Sequence, residues 1–214
     1  MLFRVIIFML AATLSTVPMS LAADEAPATP KVIMETSMGK IKIELFAKEA
    51  PMSVENFLAY VNEGFYDGLI FHRVIPGFMI QGGGFEPGMK NRTPTRRAIA
   101  NEASNGLDNK RGTLSMARTN QIHSATSQFF INVADNKSLD HRSNNPQEFG
   151  YAVFGKVIEG MEVADKIVAS PRGRVGQHND VPKKDVLIIK AYTESSPEPE
   201  GTLPPGKFGK TGFE

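Results

Sequence analysis

The segment Lys31–Leu45, KVIMETSMGKIKIEL, alternates apolar and polar side chains on both sides of Met38-Gly39. Successive strand residues point to opposite faces, so this period-two pattern about a glycine turn predicts a β-hairpin with one buried face. From Leu69 to Phe154 the chain continues as short apolar segments, such as GTLSMA and SQFFINV, separated by polar or glycine-rich loops. That spacing predicts an antiparallel barrel or sandwich, with DVLIIKAY as a closing strand. Two helices interrupt the pattern. APMSVENFLAYVNEGF places Val54, Phe57, Leu58 and Val61 at helical spacing, with Ser53 as N-cap and Gly64 as the stop. VIEGMEVADKIV supplies the second helix.

The 214 residues suit one domain with extensions. Residues 1–23 read as a secretory signal: Arg4 is the basic region, VIIFMLAATL the apolar region, and Ser20-Leu21-Ala22 or its neighbour the cleavage site. The apolar run is about half of the roughly 20 residues needed to span a bilayer, and an uncleaved anchor is the alternative. Residues 24–30 read as a linker, 31–193 as the folded domain, and 194–214 as a disordered tail rich in proline, glycine and charge. An exported protein is expected, periplasmic in a Gram-negative host, with no stable membrane association once the signal is removed.

Composition excludes several chemistries. There is no cysteine, hence no disulfide, thiol nucleophile or thiolate metal site. Lys and Arg total 24 against 23 Asp and Glu, so no general attraction to nucleic acid follows. His72, His123, His141 and His178 lack metal-ligand spacing, and no metal or cofactor is expected. GGGFEPG fails the dinucleotide fingerprint, and Ser115 and Ser127 read as strand residues rather than nucleophiles.

One stretch fits neither a buried strand nor a surface loop. Phe71–Gly84, FHRVIPGFMIQGGG, sets a lone arginine among aromatics, a proline and three consecutive glycines. Together with GTLSMAR, SQFFINVADNKSLD and FGYAVFGKV, it resembles the cyclophilins, the peptidyl-prolyl cis-trans isomerases, and most of all their exported bacterial members. The similarity runs from Lys31 to Tyr192 in the family's order. It implies a closed eight-stranded antiparallel β-barrel capped by two α-helices, in agreement with the pattern reading.

The resemblance also implies a site. Arg73 matches the catalytic arginine, and Gln81 matches the glutamine that bonds substrate backbone and orients it. Phe78, Met79, Phe130 and Leu139 match the apolar wall that receives the proline ring. Tyr151 joins this wall where many eukaryotic members carry a histidine. Gly82–Gly84 allow close backbone approach or positive φ without touching substrate. Ser138 stands where cyclosporin-sensitive members have tryptophan, and Arg118 with TNQIHSAT replaces their asparagine- and glycine-rich loop. HRSNNPQEF is a longer polar loop with no assigned role.

The expected function is isomerisation of X-Pro bonds in unfolded or partly folded proteins by a monomer that uses no cofactor. A proline-peptide-binding module or holdase with little catalysis is the rival reading. A structural barrel whose tail recruits partners is a third.

Overall fold

The computed structural model describes residues 29–194. The signal, most of the linker and the tail beyond Glu194 lie outside the described residues. The chain forms β1 (Lys31–Thr36), β2 (Gly39–Leu45), α1 (Pro51–Asn62), β3 (Arg73–Ile75), β4 (Met79–Gly82), β5 (Phe85–Glu86) and β6 (Lys90–Asn91). It continues through β7 (Thr113–Met116), β8 (Phe129–Asn132), β9 (Val153–Glu159), α2 (Met161–Val168), β10 (Arg172–Val175), β11 (His178–Pro182) and β12 (Ile188–Thr193).

Eight strands form one antiparallel curled sheet in the order β12-β1-β2-β9-β7-β8-β4-β3. The sequence expectation of a closed barrel is met only in this coarser form, because β3 and β12 end the ladder and do not pair as strands. β3 is three residues long and stops at Pro76, which has no N–H to donate, and β11 packs beside it. The seam is instead crossed just ahead of both strands by a single bridge between Ile70 and Leu187. Phe71 N–H donates to Val186 O at 2.9 Å and Ile188 N–H to Leu69 O at 2.7 Å.

The concave face holds the core. Val74, Ile80, Ile131 and Leu114 lie side by side across β3, β4, β8 and β7, and all are fully buried. Their strand neighbours Arg73, Gln81 and Phe130 form the matching row on the other face. A one-residue slip in any of these strands would exchange the two sets, so burial of the apolar row fixes the face on which Arg73, Gln81 and Phe130 line up.

α1 covers one opening of the sheet. Phe57 packs against Tyr66, Phe129 and Phe154 with ring centroids 5.2, 5.4 and 5.2 Å apart. The helix starts one turn earlier than expected: Pro51 occupies the first turn behind Ala50, so Ser53 is not the N-cap. Proline suits that position because its missing N–H would be unpaired there anyway. The other free amides are met from 50 residues away. Glu102 accepts from Met52 N–H at 3.0 Å, Ser53 N–H at 2.8 Å and Ser53 Oγ at 2.6 Å. α1 ends at Asn62, two residues before Gly64.

Two further local readings change. Ser115 lies on β7 as expected, but Ser127 sits ahead of β8, where its Oγ donates to Gly83 O at 2.8 Å. The hairpin β10–β11 was not read from the sequence at all. Both of its strands are largely exposed, so no alternation of apolar side chains marks them.

Candidate active site

Arg73, Gln81 and Phe130 sit in register on β3, β4 and β8, with Met79 two residues before Gln81 on the same face. A tight turn places Phe78 beside them. Phe78 N–H closes onto Ile75 O at 3.0 Å around Pro76 and Gly77, whose φ is 69°. Proline at the second position and a left-handed glycine at the third are what this turn type demands. Leu139 arrives on a single 3₁₀ turn, Lys137–Leu139, and its carbonyl accepts from Tyr151 N–H at 2.9 Å. Tyr151 in turn meets Phe130 edge to face at 5.7 Å.

These segments enclose a cavity of about 120 Å3 lined by Arg73, Phe78, Met79, Gln81, Ala117, Arg118, Phe130, Leu139 and Tyr151. All seven residues singled out from the sequence therefore meet in one place. Met79 and Phe130 are buried, whereas Phe78, Leu139 and Tyr151 are half-buried and form the rim. Among the described residues, the Arg73 guanidinium makes no hydrogen bond and no ion pair. Its donors are free for a ligand, and an arginine keeps its charge at every physiological pH.

Gln81 is held rather than free. Its Nε2 donates to Gln128 Oε1 at 2.9 Å. Gly83 makes this approach possible: its φ is 86°, and a Cβ there would lie 2.6 Å from Ser127 O. Gln128 escaped the sequence reading, although it sits two positions before Phe130 and so faces the same side. Arg118 lies 4.7 Å over the Tyr151 ring and donates from Nε to Gly150 O at 3.0 Å. It fixes the tyrosine edge of the cavity. Ser138 is exposed beside Leu139.

The polar insert 141–149 folds back on itself next to this rim. Arg142 N–H donates to Glu148 O at 2.9 Å, and the Phe149 ring meets His141 at 5.0 Å and His123 at 5.9 Å. Behind the site His72 is buried, and its pKa is lowered to about 4, first by burial and then by the nearby His178 and Arg73 charges. Among the described residues, no three His, Asp or Glu side chains are placed to hold a metal ion.

The description "cyclophilin type peptidyl-prolyl cis-trans isomerase" matches residues 31–193, most of the chain. This chain belongs to the cyclophilin family. It is 56% identical over 166 residues to a peptidyl-prolyl cis-trans isomerase A of Dickeya dadantii, covering 78% of this chain and 85% of that one. It is 57% identical over 157 residues to peptidyl-prolyl cis-trans isomerase B of Escherichia coli, covering 73% of this chain and 95% of that one. A crystal structure of a cyclophilin-type isomerase of Cryptosporidium parvum superposes with a TM-score of 0.66 at 30% identity, covering 79% of this chain and 99% of that one. The same protein in the presence of the dipeptide Ala-Pro gives a TM-score of 0.65, covering 78% and 99%. The chain is thus a cyclophilin-type peptidyl-prolyl cis-trans isomerase.

Proposed function

We propose that this cyclophilin accelerates rotation about X-Pro bonds in extended segments of unfolded or partly folded exported proteins, acting as a monomer without metal or nucleotide. The observation that carries the reading is Arg73: an unpaired guanidinium at the edge of a small cavity with apolar walls. The reaction breaks no bond. Amide resonance sets a barrier of about 18–20 kcal/mol, and uncatalysed exchange takes tens to hundreds of seconds. Reaching milliseconds requires about 10⁴-fold acceleration, or roughly 5.4 kcal/mol of preferential binding to the twisted amide.

The proline ring enters between Phe78, Met79, Phe130, Leu139 and Tyr151, where shape rather than charge selects it. Twisting returns the lone pair to the prolyl nitrogen and swings the preceding carbonyl away. An Arg73 N–H donates to that nitrogen, and Gln81 bonds the substrate backbone beside it. Both bonds are stronger in a partly dehydrated site than in water. Export rests on the apolar run within residues 1–23, and the periplasm is the destination in a Gram-negative host.

The test is prolyl exchange in a short X-Pro peptide, followed by NMR, for the parent and Arg73→Ala. Loss of a donor aimed at the transition state should lower kcat/KM by about 100-fold. Peptide affinity should change far less. A folded Arg73→Ala protein that exchanges proline at the parent rate would sink the mechanism. Cleavage after Ala22 or Ala23, read by N-terminal sequencing of the protein recovered from its host, tests export.

A further inference from the structure

Behind the cavity lies a cluster of buried amides that form no part of its lining. Asn109, Asn132 and Asn136 are 1%, 0% and 7% exposed. Asn136 Nδ2 donates to Phe78 O at 2.8 Å and to Asn132 Oδ1 at 2.6 Å. Asn109 Nδ2 donates to Leu139 O at 3.1 Å and Tyr151 O at 3.4 Å, and also meets Asp140 Oδ1 at 3.1 Å. Asn132 joins the two halves. Its Nδ2 donates to Asn109 Oδ1 at 3.4 Å and to Thr113 Oγ1 at 2.9 Å. Ser115 Oγ adds a donor to Asn109 Oδ1 at 2.7 Å.

Among the acceptors of this cluster are the main-chain carbonyls of three residues that line the cavity. Phe78 comes from the β3–β4 turn, whereas Leu139 and Tyr151 come from the segment between β8 and β9. The backbone joins those two segments only at the start of the second, where Val133 N–H donates to Phe78 O at 3.0 Å, so the position of Leu139 and Tyr151 relative to Phe78 rests on the amides. A primary amide suits the task because it offers two N–H donors and an acceptor, so each asparagine can hold more than one group; a hydroxyl has one proton to give. Being buried, the donors have no water to replace a lost partner, which makes the separation they impose stiff.

We propose that Asn109, Asn132 and Asn136 are positioning residues that set the width of the proline pocket, and with it the preference for a five-membered ring. The inference rests on the cavity being the proline site. Cutting the tie at Asn136 leaves the Phe78 carbonyl with the Val133 N–H alone and loosens that wall, and cutting it at Asn109 loosens the Leu139–Tyr151 wall. Either change should loosen the fit of proline while leaving Arg73 and Gln81 in place.

The experiment compares exchange in two peptides that differ only in proline or its six-membered homologue, pipecolic acid, using the parent, Asn136→Ala and Asn109→Ala. One methylene in an apolar pocket is worth about tenfold or more in selectivity, so the prolyl-to-pipecolyl ratio of kcat/KM should fall by about tenfold in both variants. The loss on the prolyl peptide should appear mainly as a higher KM. Asn136→Ser, which keeps one hydroxyl donor, guards against failure to fold and should shift the ratio in the same direction by less. Glu102→Ala, which weakens α1 through Met52 and Ser53 and removes no residue that lines the cavity, should lower stability with no change in ratio. Folded variants that keep the parent ratio, whatever their melting temperature, overturn the positioning role alone. A parent that fails to accelerate prolyl exchange overturns the reading of the site with it.

Discussion

Gln81 reaches from β4 to Gln128 beside β8, Nε2 to Oε1 at 2.9 Å, and Gly84 leaves the space in which the Gln128 side chain lies. A Cβ on residue 84 would fall 2.5 Å from Gln128 Nε2 and 2.8 Å from its Cγ. Gly84→Ala should therefore push Gln128 aside and free Gln81 without touching substrate. An ordinary hydrogen bond contributes about 1 kcal/mol, so kcat/KM should drop roughly fivefold in Gly84→Ala and in Gln128→Ala alike. Steady-state exchange assays on the two variants and their double variant check this. Losses that simply add would show that Gly84 does not act through Gln128.

Arg73→Lys should recover little of the activity lost in Arg73→Ala. The ammonium is a compact point charge on a flexible stem and cannot present the planar fork of donors that a rotating amide meets. Exchange rates of the two variants, measured side by side, decide it. A lysine variant within a few-fold of the parent would mean that charge alone suffices.

His72 predicts a loss of stability in mild acid. Burial, with the His178 and Arg73 charges, lowers its pKa to about 4, and its Nδ1 has no hydrogen-bond partner. In the unfolded chain the ring protonates near pH 6.5, so the unfolded state binds the proton first as pH falls. The contribution is complete above about pH 6.5 and is lost progressively down to about pH 4, roughly 3 kcal/mol over that window. Urea midpoints at pH 7 and pH 4.5 should diverge in the parent and converge in His72→Phe. An equal acid loss in both proteins would place the sensitive group elsewhere.

Glu102→Ala removes the acceptor for two backbone amides and the Ser53 hydroxyl at the start of α1. Loss of a cap costs about 1–2 kcal/mol, or a few degrees in Tm for a domain of this size. Thermal melts should show that drop, with prolyl exchange unchanged once the protein is folded. An unaltered Tm would show that water replaces Glu102 without penalty.

Cyclosporin should inhibit weakly. Exposed Ser138 offers the drug a small hydroxyl where sensitive cyclophilins present an indole, and an aromatic anchor of that kind often carries more than about 2 kcal/mol. That corresponds to roughly thirtyfold in affinity. Titration of the parent and Ser138→Trp in one exchange assay should show the tryptophan variant gaining. Catalysis need not change, since Phe130 and Leu139 are untouched.

The sequence by itself determined the faces of the sheet and the identity of the wall. Alternation sends Val74, Ile80 and Ile131 inward, and that forces Arg73, Gln81 and Phe130 to emerge together on the other side. Pro76-Gly77 likewise dictates the turn that brings Phe78 round. Tertiary structure decided which distant partners those residues meet. The Gln81–Gln128 bond, the Glu102 clamp on α1 and the asparagine cluster join groups 23 to 58 residues apart in almost every link between segments. Periodicity reports that a side chain is buried but not what lies opposite it, so Ser53 looked like a cap when the acceptor was Glu102. The exposed hairpin β10–β11 was hidden because little apolar surface marks its strands. The seam between β3 and β12 was hidden although Leu69, Ile70, Val186 and Ile188 are buried there, because a buried apolar run does not say which segment it pairs with.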